Sequence, residues 1–339
     1  MSEQDLDQMV EQQTPLELVE LVQSLPLSLV DEIFAYGSGA VPQAGQPSTS
    51  ANMADFLLLV PDALAFHQAN LQANPGHYSL IRMLGAKRLA SYQRGWGAGL
   101  YFNTLVPTVG GRLMKYGVVE WEEAKRDLLD WDFLYLAGRL HKPLFTLKTP
   151  TKQFTEAQAT NLKSALHVSL VQLPEEFTLT QLFTTITSLS YGGDFRTVLG
   201  EDKNKVSNIV SANLDRFRVL YGEKLKNILQ VEVQGEQVYQ ELSIRAVNYH
   251  LELFPREVLW RIQDSGYNKK FRHMDIEEMM FDLAHSVDLA QLTRHALRSI
   301  VRSSSTRQTL KNIPTAGLLK STRYASLKLQ KMIRSLRSL

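Results

Sequence analysis

Apolar residues recur at helical spacing over Leu16, Val19, Leu21, Val22 and Leu25, and Pro26 closes that helix. The short apolar run from Ile33 to Tyr36 predicts a strand that ends in Gly37-Ser38-Gly39. Gln43 to Asn52 is a loop by composition. Met53 to Val60 is so continuously apolar that it predicts a buried strand, and it carries a single carboxylate, Asp55. A short helix with His67 and Asn70 follows and exits through Asn74-Pro75-Gly76-His77-Tyr78-Ser79, a turn signal. Leu100 to Val106 and Leu113 to Val119 flank a turn at 107–111 and predict a β-hairpin. Trp121 to Trp131 is helical by the same criterion.

Pro143 to Pro150 reads as a linker, and the pattern changes after it. Phe154 to Leu173, Thr178 to Leu189, 205–222 and Asp275 to His295 predict amphipathic helices, with no strand signal between the first two. Leu229 to Ile244 predicts a second hairpin, and Pro255 to Ile262 opens another helix. The expectation is an α+β chain: residues 1–150 around a sheet, 151–293 mainly helical, and a tail at 294–339. In that tail, Leu318, Ala325, Leu329, Met332, Ile333, Leu336 and Leu339 share one side of a helical wheel. Lys320, Arg323, Lys328, Lys331, Arg334 and Arg337 occupy the other. Such a helix suits an anionic membrane surface, where each base adds about 1 kcal/mol. A helix docked on the core and a nucleic-acid arm are the competing readings.

Charge sharpens this division. The net charge of +2 hides eleven Lys/Arg and no Asp/Glu from Arg294 onward. That leaves 26 of the 37 basic residues against all 35 acidic ones before it, a net of −9. The tail therefore calls for a polyanionic partner. Composition adds that 44% apolar residues over 339 suffice for a core of about two domains. The absence of cysteine excludes disulfides, thiolate metal sites and Cys nucleophiles, and agrees with a reducing compartment. No apolar run reaches the roughly 18 residues of a membrane span, the longest being broken by Pro61 and Asp62. No Lys or Arg precedes Arg82, and Glu3, Asp5, Asp7 and Glu11 make the N-terminus unlike an Arg-rich mitochondrial presequence.

Candidate chemistry gathers in four places. Gly37-Ser38-Gly39 is either an ordinary turn or a cradle whose backbone N–H groups face an anion, with Asp55 placed to hold a divalent cation against it. Lys115, inside a predicted strand, must be solvated on an edge or paired with Asp55 or a phosphate, because an unpaired buried ammonium is costly. Arg139, His141 and Lys142 form either an anion site or a solvated turn. Asp194 and Arg196, then Glu201, Asp202 and Lys205, put acids and bases on adjacent segments, or cap two helices. His67, Asn70, His77 and Tyr78 are a polar patch suited to a base, ribose or phosphate, or simply helix-end chemistry. No metal spacing such as His-Glu-x-x-His occurs.

Read together, FAYGSGAVPQAG, MADFLLLV, NPGHYS, GAGLYFN, GRLMKYGVV, DLLDWDFLYLAGRLHKP, LSYGGDFRTVLGEDKNKV, IVRSSSTRQTLK and TAGLLKSTRYASLKLQKM resemble one family. It is the mitochondrial translocator assembly and maintenance family, the soluble-type CDP-diacylglycerol synthases, and the likeness spans about Ile33 to Lys331. The resemblance implies a nucleotidyltransferase-fold domain with a mixed sheet, then a mainly helical, winged-helix-like domain and a C-terminal amphipathic helix. It implies transfer of CMP from CTP to phosphatidate with Mg²⁺ or another divalent cation, at the matrix side of the mitochondrial inner membrane, upstream of cardiolipin. Relatives also occur in bacteria, whose cytoplasmic membrane face is the alternative location, and no nucleic acid is expected. Against that reaction, Gly37, Ser38 and Gly39 would hold the β- and γ-phosphates and Asp55 would ligate the metal. The wider superfamily uses an Asp-x-Asp pair plus a third acid, but Met53 and Leu57 flank Asp55 at that spacing. Asp194, Glu201 or Asp202 would then supply the missing carboxylate across an interdomain cleft. Lys115, Arg196 and Lys205 would neutralise phosphate charge, and His77 and Tyr78 would contact CTP or the lipid headgroup. A nucleotidyltransferase with another acceptor, or a non-enzymatic membrane assembly factor, remains the alternative at this point.

Overall fold

Strand β2 (Ala54–Val60) is buried along its length and pairs in parallel with β4 (Leu113–Glu120). Parallel pairing of this kind needs both faces covered, which the unbroken Phe56-Leu-Leu-Leu-Val60 run provides. The computed structural model describes residues 15–45, 49–194, 204–264 and 269–317. Around β2 and β4, β1 (Glu32–Tyr36), β3 (Tyr101–Pro107) and β5 (Phe145–Thr146) complete a mixed sheet of order β3-β4-β2-β1-β5. The predicted hairpin is β3–β4, and it carries a register shift between Asn103 and Val106, where Leu105 takes φ +53°.

Side-chain alternation gives the sheet two different faces. Ile33, Ala35, Phe56, Leu58 and Val118 pack with α1 (Leu16–Val22), α2 (Ala63–Ala73) and α3 (Gly85–Gly95). Asp62 caps α2 by accepting from the Leu64 N–H at 2.8 Å. Phe34, Leu57, Leu59, Phe102 and Val119 instead join one continuous core with α4 (Trp121–Asp130) and the helical domain. That domain contains α6 (Lys152–Leu170), α7 (Leu179–Ser188), α8 (Lys205–Ser211), α9 (Leu214–Lys226), α10 (Ile244–Leu251), α11 (Arg256–Gln263) and α12 (Ile276–Ala284). A small antiparallel sheet of β6 (Glu176–Thr178), β8 (Gln237–Gln240) and β7 (Val231–Gln234) accompanies them, in that β6-β8-β7 order.

Four local expectations are corrected. The presumed linker at 143–150 includes β5, which pairs with β1 while Leu147 N–H donates to the Ile33 carbonyl at 2.8 Å. The helix over 205–222 is broken between α8 and α9, because the Asn213 amide turns back to the Ile209 carbonyl and across to Pro42, each at 2.8 Å. The helix over 275–295 is likewise two, α12 and α13 (Leu289–Ala316), so α13 runs through residue 293. Glu176–Thr178 is a strand despite its weak pattern, since it only needs to edge β8. The expected amphipathic helix over 318–339, with Lys320, Arg323, Lys328, Lys331, Arg334 and Arg337, lies outside the described residues.

Helix α13 returns the C-terminal part of the chain to the sheet domain and packs on β3. Gln308 accepts from Ala98 N–H at 2.9 Å and donates to the Leu100 carbonyl at 3.2 Å. Lys311 is fully buried and donates to the Gln93 and Trp96 carbonyls, capping the end of α3. Burial lowers its ammonium to about 7.

Four histidines are buried: His67, His141, His167 and His250. Burial lowers His67 and His250 to about 4 and His141 and His167 to about 3, against an ordinary value near 6.5. His167 and His250 meet Nδ1 to Nδ1 at 2.8 Å, so they share one proton between those atoms. These depressed bases favour folding above 6.5, and the benefit is lost as pH falls, because the unfolded chain takes up protons that the folded one refuses. The slope approaches about 1.4 kcal/mol per pH unit for each histidine. Calorimetry should therefore record a Tm lower by several degrees at pH 5 than at pH 7, and an equal Tm at both would contradict this account.

Candidate active site

Register across three strands aligns the first residues of the site. Asp55 on β2 pairs with Tyr36 on antiparallel β1 and with Lys115 on parallel β4. Lys115 Nζ lies 3.4 Å from Asp55 Oδ1 and 4.5 Å from the centre of the Phe102 ring. Of the two readings open for Lys115, pairing with Asp55 is therefore realised. Gly117 makes this possible: a Cβ there would come 2.4 Å from the Phe102 ring.

The turn after β1 closes over Asp55. Gly37 takes φ +73°, and a Cβ at that position would stand 3.5 Å from Asp55 Oδ2. Its carbonyl accepts from Ala40 and Val41 N–H, a tight turn that only a residue tolerant of positive φ enters without strain. At Gly39 a Cβ would strike the Met53 carbonyl at 2.0 Å, so this glycine serves the close approach of loop and β2. Asn52 Nδ2 donates to the Ser38 carbonyl at 3.2 Å. Arg112 fastens the whole loop by donating to the carbonyls of Gly39, Thr49 and Asn52 and pairing with Glu17. Sequence reasoning passed over Arg112, which sits in a hairpin turn with no local mark of this reach.

The cationic side of the site comes from the segment after α4. Asp127, fully buried, accepts from the backbone N–H groups of Phe133, Tyr135, Leu136 and Ala137 at 2.7–3.1 Å. Burial raises its carboxyl, and those N–H groups pull it back down. The loop they hold contains Trp131 at φ +59° and Leu134 at φ +49° and leads into α5 (Ala137–Leu140). Arg139 on α5 lies over Tyr135, 3.8 Å from its centre, and 5.7 Å from the Tyr36 ring. Lys142 Nζ donates to the Gly138 carbonyl and to Ser190 Oγ. Burial, with repulsion from Arg139 and Lys205, holds its ammonium well below the ordinary lysine value.

The helical domain completes the cluster. A Cβ on Gly138 would meet Ser190 Cβ at 2.2 Å, so α5 abuts the turn at 190–194. Lys142 and Lys205 each lie 5.1 Å from the Tyr191 ring. Asp194 is buried in the same turn, its N–H donating to the Tyr191 carbonyl. Ala44 N–H donates to the Asn208 carbonyl at 3.0 Å, tying the loop after Gly39 to α8. Lys115 thus stands beside Asp55, and Arg139 near Tyr36 leads on to Lys142 and Lys205 where the helical part meets the sheet. The Tyr36 hydroxyl is buried between Lys115 and Arg139 without a hydrogen-bond partner among the described residues, and desolvation raises it against their pull. Arg196, Glu201 and Asp202 lie outside the described residues.

Other predicted residues are placed elsewhere. His77 Nδ1 bonds the Tyr116 hydroxyl at 2.9 Å, and Tyr78 bonds His67 and Asn70, also at 2.9 Å. Asn70 donates to Tyr116 at 2.7 Å as well. Tyr116 follows Lys115 on β4 and points to the other face, so the structure does not bring His77 and Tyr78 to Asp55. His141 turns into the core against Trp131, its Nε2 2.8 Å from Asn161 Oδ1. Arg139 and Lys142 are three apart and share a side of the helical turn, whereas His141 is two from Arg139 and faces away. That spacing was the signal available for choosing Lys142 over His141.

Among the described residues no group of three His, Cys, Asp or Glu could hold a metal. Asp55 Oδ2, with no side chain on Gly37 to cover it, suits the mode in which a hard cation takes one carboxylate and fills its shell from phosphates and water.

A family model described as phosphatidate cytidylyltransferase, mitochondrial, matches residues 18–331. Relatives of that name include one from Caenorhabditis elegans, 42% identical over 317 residues, covering 93% of this chain and 98% of the relative. One from Danio rerio is 42% identical over 309 residues, 90% of this chain and 91% of its own. One from Drosophila melanogaster is 40% identical over 334 residues, 91% and 96%.

Asp127→Asn keeps the shape but turns an amide against N–H donors, and it should destabilise the fold by about 2–4 kcal/mol. Urea unfolding measures this, and a loss below half a kcal/mol would remove Asp127 as the organiser of the loop.

Proposed function

The chain belongs to the family of mitochondrial phosphatidate cytidylyltransferases and is an enzyme of that activity; from this premise we propose how its site joins CTP and phosphatidate. The observation that carries the reading is the succession of cations from Lys115, beside Asp55, through Arg139 to Lys142 and Lys205. A nucleoside triphosphate brings about four negative charges, and cations held in a partly desolvated junction are worth more to it than the same charges in water.

A phosphate oxygen of phosphatidate attacks the α-phosphorus of CTP. The bond from that phosphorus to the bridging oxygen breaks, and pyrophosphate leaves with the electron pair. The nucleophile is already an anion, so no residue has to remove a proton from it. Catalysis reduces to alignment of two repelling anions and neutralisation of charge on the leaving group. Backbone N–H groups of the Gly37-Ser38-Gly39 turn hold the outer phosphates, Arg139 and Lys142 neutralise them, and Lys205 adds charge from the second domain. Lys115, held by Asp55 and the Phe102 ring, faces the reacting phosphorus. Mg²⁺ or a similar divalent cation would screen the phosphate charge, with Asp55 as a protein ligand and Asp194 as a candidate for a second. Glu201 and Asp202 stay candidates for that role, and Arg196 for a further phosphate contact.

The mitochondrial relatives support a mitochondrial setting, and no helix among the described residues is long and apolar enough to cross a membrane. A peripheral enzyme on the matrix side of the inner membrane fits this, with its product consumed in phosphatidylglycerol and cardiolipin synthesis. The basic face of 318–339 would add attraction to an anionic surface.

Asp55→Asn should abolish formation of labelled CDP-diacylglycerol from CTP and phosphatidate while leaving Tm within a few degrees of the parent. Substantial residual turnover with any divalent ion would remove its metal role. Lys142 gives an independent test. Lys142→Met should weaken CTP binding roughly tenfold, read by calorimetry on the folded variant, and parental CTP affinity would place the triphosphate elsewhere.

A further inference from the structure

Where α3 begins, the fold presents an apolar turn to solvent. Residues Leu80–Leu84 form a short 3-10 turn, with Leu80 80%, Met83 83% and Leu84 50% exposed. The turn is held firmly. Ser79 Oγ accepts from Ile81 N–H, Arg82 Nη1 donates to the Pro75 carbonyl at 2.8 Å, and Ile81 packs beneath with Tyr78 and Tyr101. Its exposed apolar side chains are therefore a fixed feature of the surface.

The stretch of sequence that carries this turn has charge of one sign. Arg82, Lys87 and Arg88 are exposed beside it, and no Asp or Glu occurs anywhere from Ala63 to Val119. The end of α13 is anchored at the same place. Ser79 Oγ donates to the Pro314 carbonyl at 2.6 Å, and a Cβ on Gly317 would stand 3.2 Å from Ser79. Leu310 and Ile313 on α13 are 50% and 43% exposed. The chain thus leaves the described fold at the foot of the turn, and the next 22 residues are basic, free of acids and amphipathic in sequence.

We propose that the Leu80–Leu84 turn is a membrane-insertion element, which seats the folded body on an anionic bilayer. Leu80, Met83 and Leu84 enter the headgroup–acyl boundary, and Lys87 and Arg88 meet lipid phosphates. Three observations select a lipid surface over a protein partner: the exposed bases of an acid-free stretch, the exit of the chain toward a segment basic and amphipathic in sequence, and a substrate that resides in a bilayer. The α13 helix packs on both the turn and β3. A membrane on this side therefore approaches the sheet edge next to β4, the strand of Lys115. The proposal rests on the cytidylyltransferase reading, and it concerns how the lipid is reached, not how it reacts.

The absence of cysteine allows a direct test in the full-length chain. Met83→Cys, labelled with an environment-sensitive fluorophore, should shift to the blue with vesicles of phosphatidate and phosphatidylcholine, and much less with phosphatidylcholine alone. The same label at Val287→Cys, an exposed position on the helical domain, should not respond. The variant L80S/M83S should bind phosphatidate vesicles roughly tenfold more weakly and turn over vesicle phosphatidate correspondingly more slowly. Its turnover of dissolved short-chain phosphatidate, and its Tm, should match the parent. A silent label at Met83, an equal response to neutral vesicles, or parental vesicle binding by the double variant would each overturn the proposal. Loss of short-chain turnover at an unchanged Tm would overturn it in another way, by putting the turn in the reaction itself. Parental turnover of the short-chain lipid in any of the first three cases leaves the cytidylyltransferase reading standing.

Discussion

The carboxylate of Asp127 grips four successive-region N–H groups, those of Phe133, Tyr135, Leu136 and Ala137, at the mouth of a loop that otherwise has little reason to hold its shape. Two non-glycine residues there adopt positive φ, a conformation that costs energy unless the surroundings enforce it. A buried acid whose oxygens accept from several amides enforces it well, since each bond satisfies a donor and an acceptor that water cannot reach. From that loop follow the start of α5, the side on which Arg139 and Lys142 emerge, and the contact of Gly138 with Ser190 that joins the domains. The same segment is locked from behind. The Trp131 indole and His141 both reach Asn161, and the Tyr221 hydroxyl donates to the His141 carbonyl at 2.8 Å. Remove the grip, and the cations lose their fixed place.

The sheet supplies the complementary constraint. Because successive residues of a strand face opposite sides, β4 sends Lys115 to the interdomain face and Tyr116 to the other. The first face carries the anion chemistry. The second carries a hydrogen-bond network of His67, Asn70, Tyr78, Tyr116 and His77, with Gln93 Oε1 2.9 Å from His67 Nε2. Polar groups buried beneath α2 and α3 need such partners, and although Gln93 Nε2 has none among the described residues, the bonds made fix the helices against the strands.

A third constraint is topological. Helix α13 departs from the helical domain and ends on the sheet domain, where Gln308 pairs with the Ala98 and Leu100 backbone and Lys311 is buried at the end of α3. With Ala44 bonded to Asn208, and Asn213 to Pro42, the phosphate-side loop and the second domain are stitched on more than one side. A cleft shared by two domains can then hold its charges in place before any ligand arrives, which is what electrostatic preorganisation requires.

Hydrophobic periodicity by itself determined the strands β1, β2, β3 and β4, the helices α4, α6 and α7, and the β7–β8 hairpin, because each buries one regular stripe or run. The chain's chemistry also marked Gly37, Asp55 and Lys115, since a glycine turn, a carboxylate in an apolar strand and an unaccompanied ammonium are costly unless used. The matched motifs identified the family. What only the tertiary structure decided was direction and partnership. It turned His77 and Tyr78 away from Asp55 and His141 into the core, made a strand of the expected linker, and recruited Arg112, Tyr36 and Asp127 from positions with no local distinction. It also ended the ambiguity of Lys115 by setting Asp55 beside it at 3.4 Å. The physical reason is that propensity and pattern act between near neighbours in the chain, whereas register, facing and burial of a charge are settled by segments tens or hundreds of residues away.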